Sequence, residues 1–209
     1  MRLQVAIDRV SVESAGNVIA ATSGRADIIE VGTSLIKDFG LAGSVGTLKK
    51  KFPEQCILAD IKTCDEGAYE FQKAYENGCD IATVMGFSSL TTIKSCAQVA
   101  EQFGKEYMID LLEVPKDRLE SLKKEFPEAI FCLHLPADKE GDGLEEMVRD
   151  MCESMSGVKK LAVAGGVKLN NISLMAAHNI DIVIVGSAIT KSEDIKKETG
   201  LFSEEIKRY

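Results

Sequence analysis

Six consecutive residues, Asp60-Ile61-Lys62-Thr63-Cys64-Asp65, set two carboxylates around one ammonium at the end of the apolar run Ile57–Ile61. In a β-strand, residues two apart point to the same side, so Asp60 and Lys62 should share one face. Burying both charges is costly unless they pair with each other or bind something. A fixed ammonium of this kind can stabilise an anion that forms beside it during a reaction. The plainer alternative is a structural ion pair at a strand end, with Asp65 as N-cap of a helix beginning at Gly67.

Other residues with chemical potential also stand at the ends of apolar runs. Glu30 occupies a place in Asp27-Ile28-Ile29-Glu30-Val31-Gly32 where an apolar residue would be expected. With Asp60 it offers two carboxylates to a hard cation such as Mg²⁺, which favours one or two protein carboxylates plus water and substrate oxygens. A Glu30–Lys62 pair would satisfy the charge equally well. Asp8 ends the first run, Asp110 lies in the fifth, and His134 lies near the end of the sixth. An imidazole there could relay a proton near neutral pH, or be a satisfied core histidine. Gly165-Gly166 and Gly186-Ser187 end the last two runs, where glycine lets backbone N–H groups approach a phosphate.

The elements that must position these residues alternate regularly. Near-continuous apolar runs, typical of strands covered on both faces, are Leu3–Ile7, Ile28–Val31, Ile57–Ile61, Ile81–Met85, Tyr107–Leu112, Ile130–Leu135, Lys160–Ala164 and Ile182–Val185. Between them, helical spacing marks Ser14–Ala21, Gly40–Phe52, Gly67–Asn77, Leu90–Phe103, Lys116–Phe126, Leu144–Met155 and Asn171–His178. A last segment, Ser192–Tyr209, would close the ring as a helix broken near Gly200. Eight strand–helix units predict an α/β fold, a single (β/α)₈ TIM barrel spanning residues 1–209 as one catalytic domain. An open doubly wound sheet would carry a glycine-rich loop after its first strand, where this chain reads Ala6-Ile7-Asp8-Arg9.

Composition narrows the function. A formal charge of −8 argues against a nucleic-acid or anionic-membrane surface, both of which need clustered Lys and Arg. No apolar stretch approaches the ~20 residues of a membrane span. The opening Met1-Arg2-Leu3-Gln4 lacks the pattern of a signal peptide. Six scattered cysteines with no C-x-x-C pair read as buried thiols in a reducing compartment. The expectation is a cytoplasmic protein.

Asp60-x-Lys62-x-x-Asp65 resembles the signature of the orotidine-monophosphate decarboxylase superfamily. The likeness runs from Leu3–Asp8 to Ile184–Thr190 and follows the superfamily's sugar-phosphate branch. Within that branch the chain looks most like the 3-hexulose-6-phosphate synthases, through Ile29–Thr33, Leu58–Asp60, Thr83–Gly86 and Val163–Lys168. The sibling 3-keto-L-gulonate-6-phosphate decarboxylases carry an Arg three residues after the His. This chain has Ala137 there, followed by Asp138 as in the synthases; Gly67 and Glu70 also look synthase-like. It departs from the synthases at Leu135-Pro136 and at Ser88-Ser89-Leu90, which border the expected cavity.

The resemblance implies Mg²⁺-dependent aldol condensation of formaldehyde with D-ribulose 5-phosphate. Glu30 and Asp60 would hold the metal and Lys62 would stabilise a 1,2-enediolate. His134 would move protons, Asp8 and Asp65 would orient Lys62 and the substrate hydroxyls, and Gly165, Gly166, Gly186 and Ser187 would bind the phosphate. It also implies a homodimer with shared active sites, Asp65 serving the neighbouring subunit. Decarboxylation of 3-keto-L-gulonate 6-phosphate is the alternative activity. A sugar-phosphate binder that has lost catalysis is the alternative of another class; the full set of charged residues speaks against it.

Overall fold

A computed structural model describes residues 1–136, 138 and 143–209. Eight parallel strands close into a barrel in chain order: β1 (Arg2–Ile7), β2 (Ile28–Val31), β3 (Cys56–Thr63), β4 (Ile81–Met85), β5 (Glu106–Asp110), β6 (Ile130–His134), β7 (Lys160–Ala164) and β8 (Ile182–Val185). β1 pairs with both β2 and β8, which shuts the ring. The fold is the (β/α)₈ barrel that the alternation of runs requires.

Around it lie α1 (Val12–Thr22), α2 (Thr33–Leu41), α3 (Thr47–Lys51), α4 (Gly67–Glu76), α5 (Leu90–Phe103), α6 (Lys116–Glu125), α7 (Leu144–Ser154), α8 (Ile172–Ala177), α9 (Ser187–Thr190) and α10 (Ile195–Ile206). The longer ones bury an apolar stripe, such as Ile93, Cys96, Val99 and Ala100 of α5. The outward residues of the strands join these stripes in one large core. The inward residues form a second cluster that fills the lumen, including Ile28, Leu58, Ile81, Met108, Ile130 and Ile182.

The main departures from the expected helices lie in two segments. The segment read as Gly40–Phe52 begins at Thr33, and Gly40, with φ +68, kinks it before a π-helical turn over Ala42–Gly46 and α3. Gly200 does not break the last helix. α10 runs through it, because Phe202 and Ile206 on its buried face anchor the turns that follow. One glycine inside a helix costs only ~1 kcal/mol, which that packing offsets. The six cysteines are free thiols. Cys79, Cys96 and Cys132 are buried and Cys56 and Cys152 partly so, but Cys64 is exposed, contrary to the reading of buried thiols. No helix among the described residues is long and apolar enough to cross a membrane.

Candidate active site

Strand parity builds the site. The residue two beyond each lumen-filling apolar residue also faces inward, one layer nearer the C-terminal mouth. On β2 this is Glu30 after Ile28, on β3 Asp60 after Leu58, on β4 Thr83 after Ile81, and on β5 Asp110 after Met108. On β6, His134 follows the inward Cys132. Above this layer opens a cavity of about 780 Å³, lined by these residues together with Asp8, Lys62, Gly165, Gly166, Gly186 and Ser187.

Lys62 shares the side of Asp60, though not by simple alternation. The register between β3 and β4 shifts between Ala59 and Thr63, and Lys62 adopts φ +49. This left-handed bulge points the side chain back over the strand. Its Nζ donates to both Asp60 oxygens, at 2.9 and 2.8 Å, and to Asp110 Oδ2 at 3.2 Å. Asp110 Oδ2 also meets His134 Nδ1 at 2.8 Å, while its Oδ1 accepts the Leu112 N–H at 2.9 Å. Asp60, Lys62, Asp110 and His134 therefore form one continuous chain.

Electrostatics follow from this packing. Burial would lower the Lys62 pKa, but Asp60 and Asp110 more than reverse that and hold the ammonium above its ordinary range. Burial would raise the Asp110 carboxyl, and His134, Lys62 and the Leu112 N–H bring it below the usual carboxylate range. Glu30 differs. Burial first, and the Asp60 charge second, push its carboxyl up to about 8, against a hydrogen bond from Gln4 Nε2 at 2.6 Å. The other end of that amide, Gln4 Oε1, is buried with no hydrogen-bond partner among the described residues.

These carboxyls fit a hard cation unequally. Among the described residues no three His, Cys, Asp or Glu side chains gather as a metal site, but Mg²⁺ needs only one or two carboxylates. A cation beside Glu30 would offset the burial and repulsion that disfavour its charge. Asp60 is already well supplied with donors. Its Oδ1 accepts from Lys62 and from Thr83 Oγ1 at 3.0 Å, and its Oδ2 from Lys62 and from Thr33 Oγ1 at 2.7 Å. A metal there would take the place of one of these.

Within the protomer neither Asp8 nor Asp65 orients Lys62, and Asp65 is the residue expected to serve the neighbouring subunit. Asp8 does not touch Lys62. Its Oδ1 accepts from Ser34 Oγ at 2.7 Å and Ser34 N at 3.3 Å, and its carboxyl lies so close over Gly32 that a Cβ there would come within 2.3 Å. Asp8 thus ties the mouth of β1 to the first turn of α2. Asp65 is exposed and outside the cavity. Nor is it an N-cap, since Glu66, with φ +53, holds that position with no side-chain bond. Lys62 is oriented by Asp60 and Asp110 instead.

The glycines after β7 and β8 do line the cavity. Gly165 has φ +94, and a Cβ on it would meet the Leu135 carbonyl oxygen at 2.3 Å; Gly166 follows with φ +71. Only glycine suits this double left-handed turn. Lys191, one turn beyond Ser187, lines the same part of the cavity and was not anticipated. Neither were Thr33 and Thr83, nor the central place of Asp110. All but Lys191 carry a readable signal, a polar residue in phase with inward apolar ones or within two residues of such a strand's end. Ala137 and Lys139, on which the distinction between sibling activities rests, lie outside the described residues.

Residues 1–200 match the model of the Orotidine 5'-phosphate decarboxylase / HUMPS family. The chain is similar to 3-hexulose-6-phosphate synthase of Bacillus subtilis (strain 168), 35% identical over 95% of each chain. It is 32% identical to the protein of that name in Staphylococcus epidermidis, over 93% of each. The crystal structure of 3-hexulose-6-phosphate synthase from Salmonella typhimurium superposes with a TM-score of 0.93 at 30% identity, covering 100% of this chain and 99% of that one.

Proposed function

Since the chain belongs to the Orotidine 5'-phosphate decarboxylase / HUMPS family, we propose that it is an aldehyde-lyase that condenses formaldehyde with D-ribulose 5-phosphate to give 3-hexulose 6-phosphate. The observation that carries this reading is the ammonium of Lys62, held between Asp60 and Asp110 at the floor of the cavity and joined through Asp110 to His134. The names of the full-length relatives support it.

The reaction needs a proton taken from C1 of the ketose, beside the carbonyl, leaving a 1,2-enediolate. The C1 carbon then attacks formaldehyde. A C–C bond forms, and the formaldehyde oxygen receives a proton. Lys62 supplies a positive charge already in place where the enediolate's charge grows. Asp110 engages His134 at Nδ1, which leaves Nε2 as the nitrogen that can take the proton and return it. Glu30 and Asp60 would hold Mg²⁺, which when bound acts as a Lewis acid on the sugar's oxygens. Backbone N–H groups around Gly165, Gly166, Gly186 and Ser187 suit the phosphate, with Lys191 nearby to add charge. Asp8 and Ser34 present polar groups at the rim for hydroxyls.

The enzyme would work in the cytoplasm as a single catalytic domain in a homodimer, with exposed Asp65 completing the neighbouring subunit's site. Purified protein should consume formaldehyde in the presence of ribulose 5-phosphate and Mg²⁺, and less without Mg²⁺. The same protein offered 3-keto-L-gulonate 6-phosphate should turn over more slowly, compared as kcat/KM. Faster decarboxylation would replace this reading with the sibling activity, and no turnover of either sugar would leave a binding protein.

A further inference from the structure

We propose that Thr83 is a positioning residue, one hydroxyl that sets both the backbone bulge aiming Lys62 and the carboxylate that receives it. The inference rests on the reading that Lys62 takes part in the chemistry. Thr83 is 2% exposed, faces the lumen two residues beyond Ile81, and lines the cavity. Its Oγ1 accepts the Lys62 N–H at 2.9 Å and donates to Asp60 Oδ1 at 3.0 Å. A hydroxyl has a single hydrogen, so Thr83 uses its donor on the carboxylate and its acceptor on the bulge.

The bulge requires such a partner. From the Ala59↔Ala82 pair to the Thr63↔Val84 pair, β3 advances four residues while β4 advances two. Lys62 lies in this extra length with φ +49, a conformation that a residue with a Cβ keeps only when its surroundings impose it. Its N–H is satisfied by Thr83. The far end of the bulge is held separately, by Thr63 Oγ1 to Glu70 Oε2 at 2.5 Å and Ser88 Oγ to Thr63 O at 3.4 Å. Thr33 also binds the Asp60 carboxylate, but Thr83 binds it and the Lys62 backbone together. Valine in its place keeps the shape and loses both bonds, leaving a partly buried N–H without its partner. The Lys62 backbone then relaxes out of the left-handed region and carries Nζ away from Asp60.

Thr83→Val should lower kcat by about 10²-fold, the scale for misplacing a catalytic group by ~1 Å, with KM for ribulose 5-phosphate changed by less than about 3-fold. Thr83→Ser should restore kcat to within about 3-fold of the original protein, since its hydroxyl remains. A crystal structure of the Thr83→Val protein should show Lys62 φ outside the positive region. Thr83→Ala serves both measurements where the valine variant does not fold. Unchanged kcat, a serine variant as slow as the valine one, or an intact bulge in the variant structure would each overturn the proposal. If the original protein shows no condensation, the reading of its function fails, and the variant structure alone decides the role of Thr83.

Discussion

Aspartates crowd both ends of this barrel, yet they are used in opposite ways. At the N-terminal end, Asp27, Asp80 and Asp181 each stand immediately before an even-numbered strand and clasp the preceding odd one. Asp27 Oδ2 accepts the Leu3 N–H at 2.8 Å while its own N–H donates to Leu3 O at 2.9 Å. Asp80 does the same with Ile57, at 3.0 and 2.7 Å, and Asp181 with Leu161, both at 2.8 Å. Asp80 further holds Lys49 at 2.8 Å and Lys105 at 2.6 Å. At the C-terminal mouth, by contrast, Asp60 and Asp110 share one lysine beside a cavity, and Asp110 also holds a histidine. A carboxylate that binds the backbone of a neighbouring strand fixes register; one whose partners are an ammonium and an imidazole facing open space can exchange them with a substrate. Residue type alone does not separate the two roles, whereas the identity of the partners does. The division matches the general one in this fold, stability below and chemistry above.

The comparison breaks most sharply at Lys62. Lys62→Ala should leave a folded barrel and cut kcat at least ~10²-fold, the scale for losing one preorganised charge. Circular dichroism and steady-state kinetics on the same sample check both halves, and a folded variant with near-normal turnover would remove the mouth's claim to chemistry. Asp80→Asn should do the reverse. It weakens bonds to one N–H and two lysines, so unfolding in urea should show a loss of about 2 kcal/mol with kcat within about 2-fold. Asp27→Asn and Asp181→Asn, with no lysine among their described bonds, should each lose about 1 kcal/mol. Equal losses at all three would mean that the lysines add nothing.

Glu30→Gln tests the mouth more gently. A neutral amide is a poor ligand for a hard cation, so the Mg²⁺ concentration giving half-maximal activity should rise about 10-fold. Full activity of chelator-treated original protein would sink the metal assignment to Glu30 and Asp60. Stability should change little or increase, because the substitution removes a carboxyl whose charge is disfavoured by burial and by Asp60.

Much of this was legible from parity and punctuation. The eight strands follow from short apolar runs, and Asp60, Glu30 and His134 stood out as charged or titratable residues breaking them. Asp110 is visible in its run, but its role follows only from phase, since it lies two beyond inward Met108 as Glu30 lies two beyond Ile28. Thr83 obeys the same rule and was masked by its small size and β-forming chemistry. The bulge at Lys62 was not readable, since its left-handed φ comes from contacts with β4 that are distant in sequence. The clasp by Asp27, Asp80 and Asp181 recurs as Asp-Ile at the start of three even strands. Single-strand reading passes over such a repeat because its meaning lies in the pairing of two strands.

The smallest predicted effect is the pH dependence of the Asp80 clasp, and its sign follows from linkage. Burial would raise the Asp80 carboxyl, but Lys105, Lys49 and the Ile57 N–H outweigh it and hold the pKa below the ordinary 3.8. A group whose folded pKa is depressed stabilises the fold fully above its unfolded value and loses that contribution as pH falls through the folded one. An asparagine at position 80 has no such proton to gain. The stability difference between the original protein and Asp80→Asn should therefore stay constant from about pH 7 to pH 5 and shrink as pH drops below about 4. Taking the difference cancels the other acidic groups, which titrate alike in both proteins. Urea unfolding at each pH, read by fluorescence or circular dichroism, measures it. A gap that persists undiminished to the lowest pH at which both proteins still fold would show that the clasp works through its hydrogen-bond geometry and not its charge, and Asp80 would then stand further from the mouth's charge-paired aspartates than its lysine partners indicate.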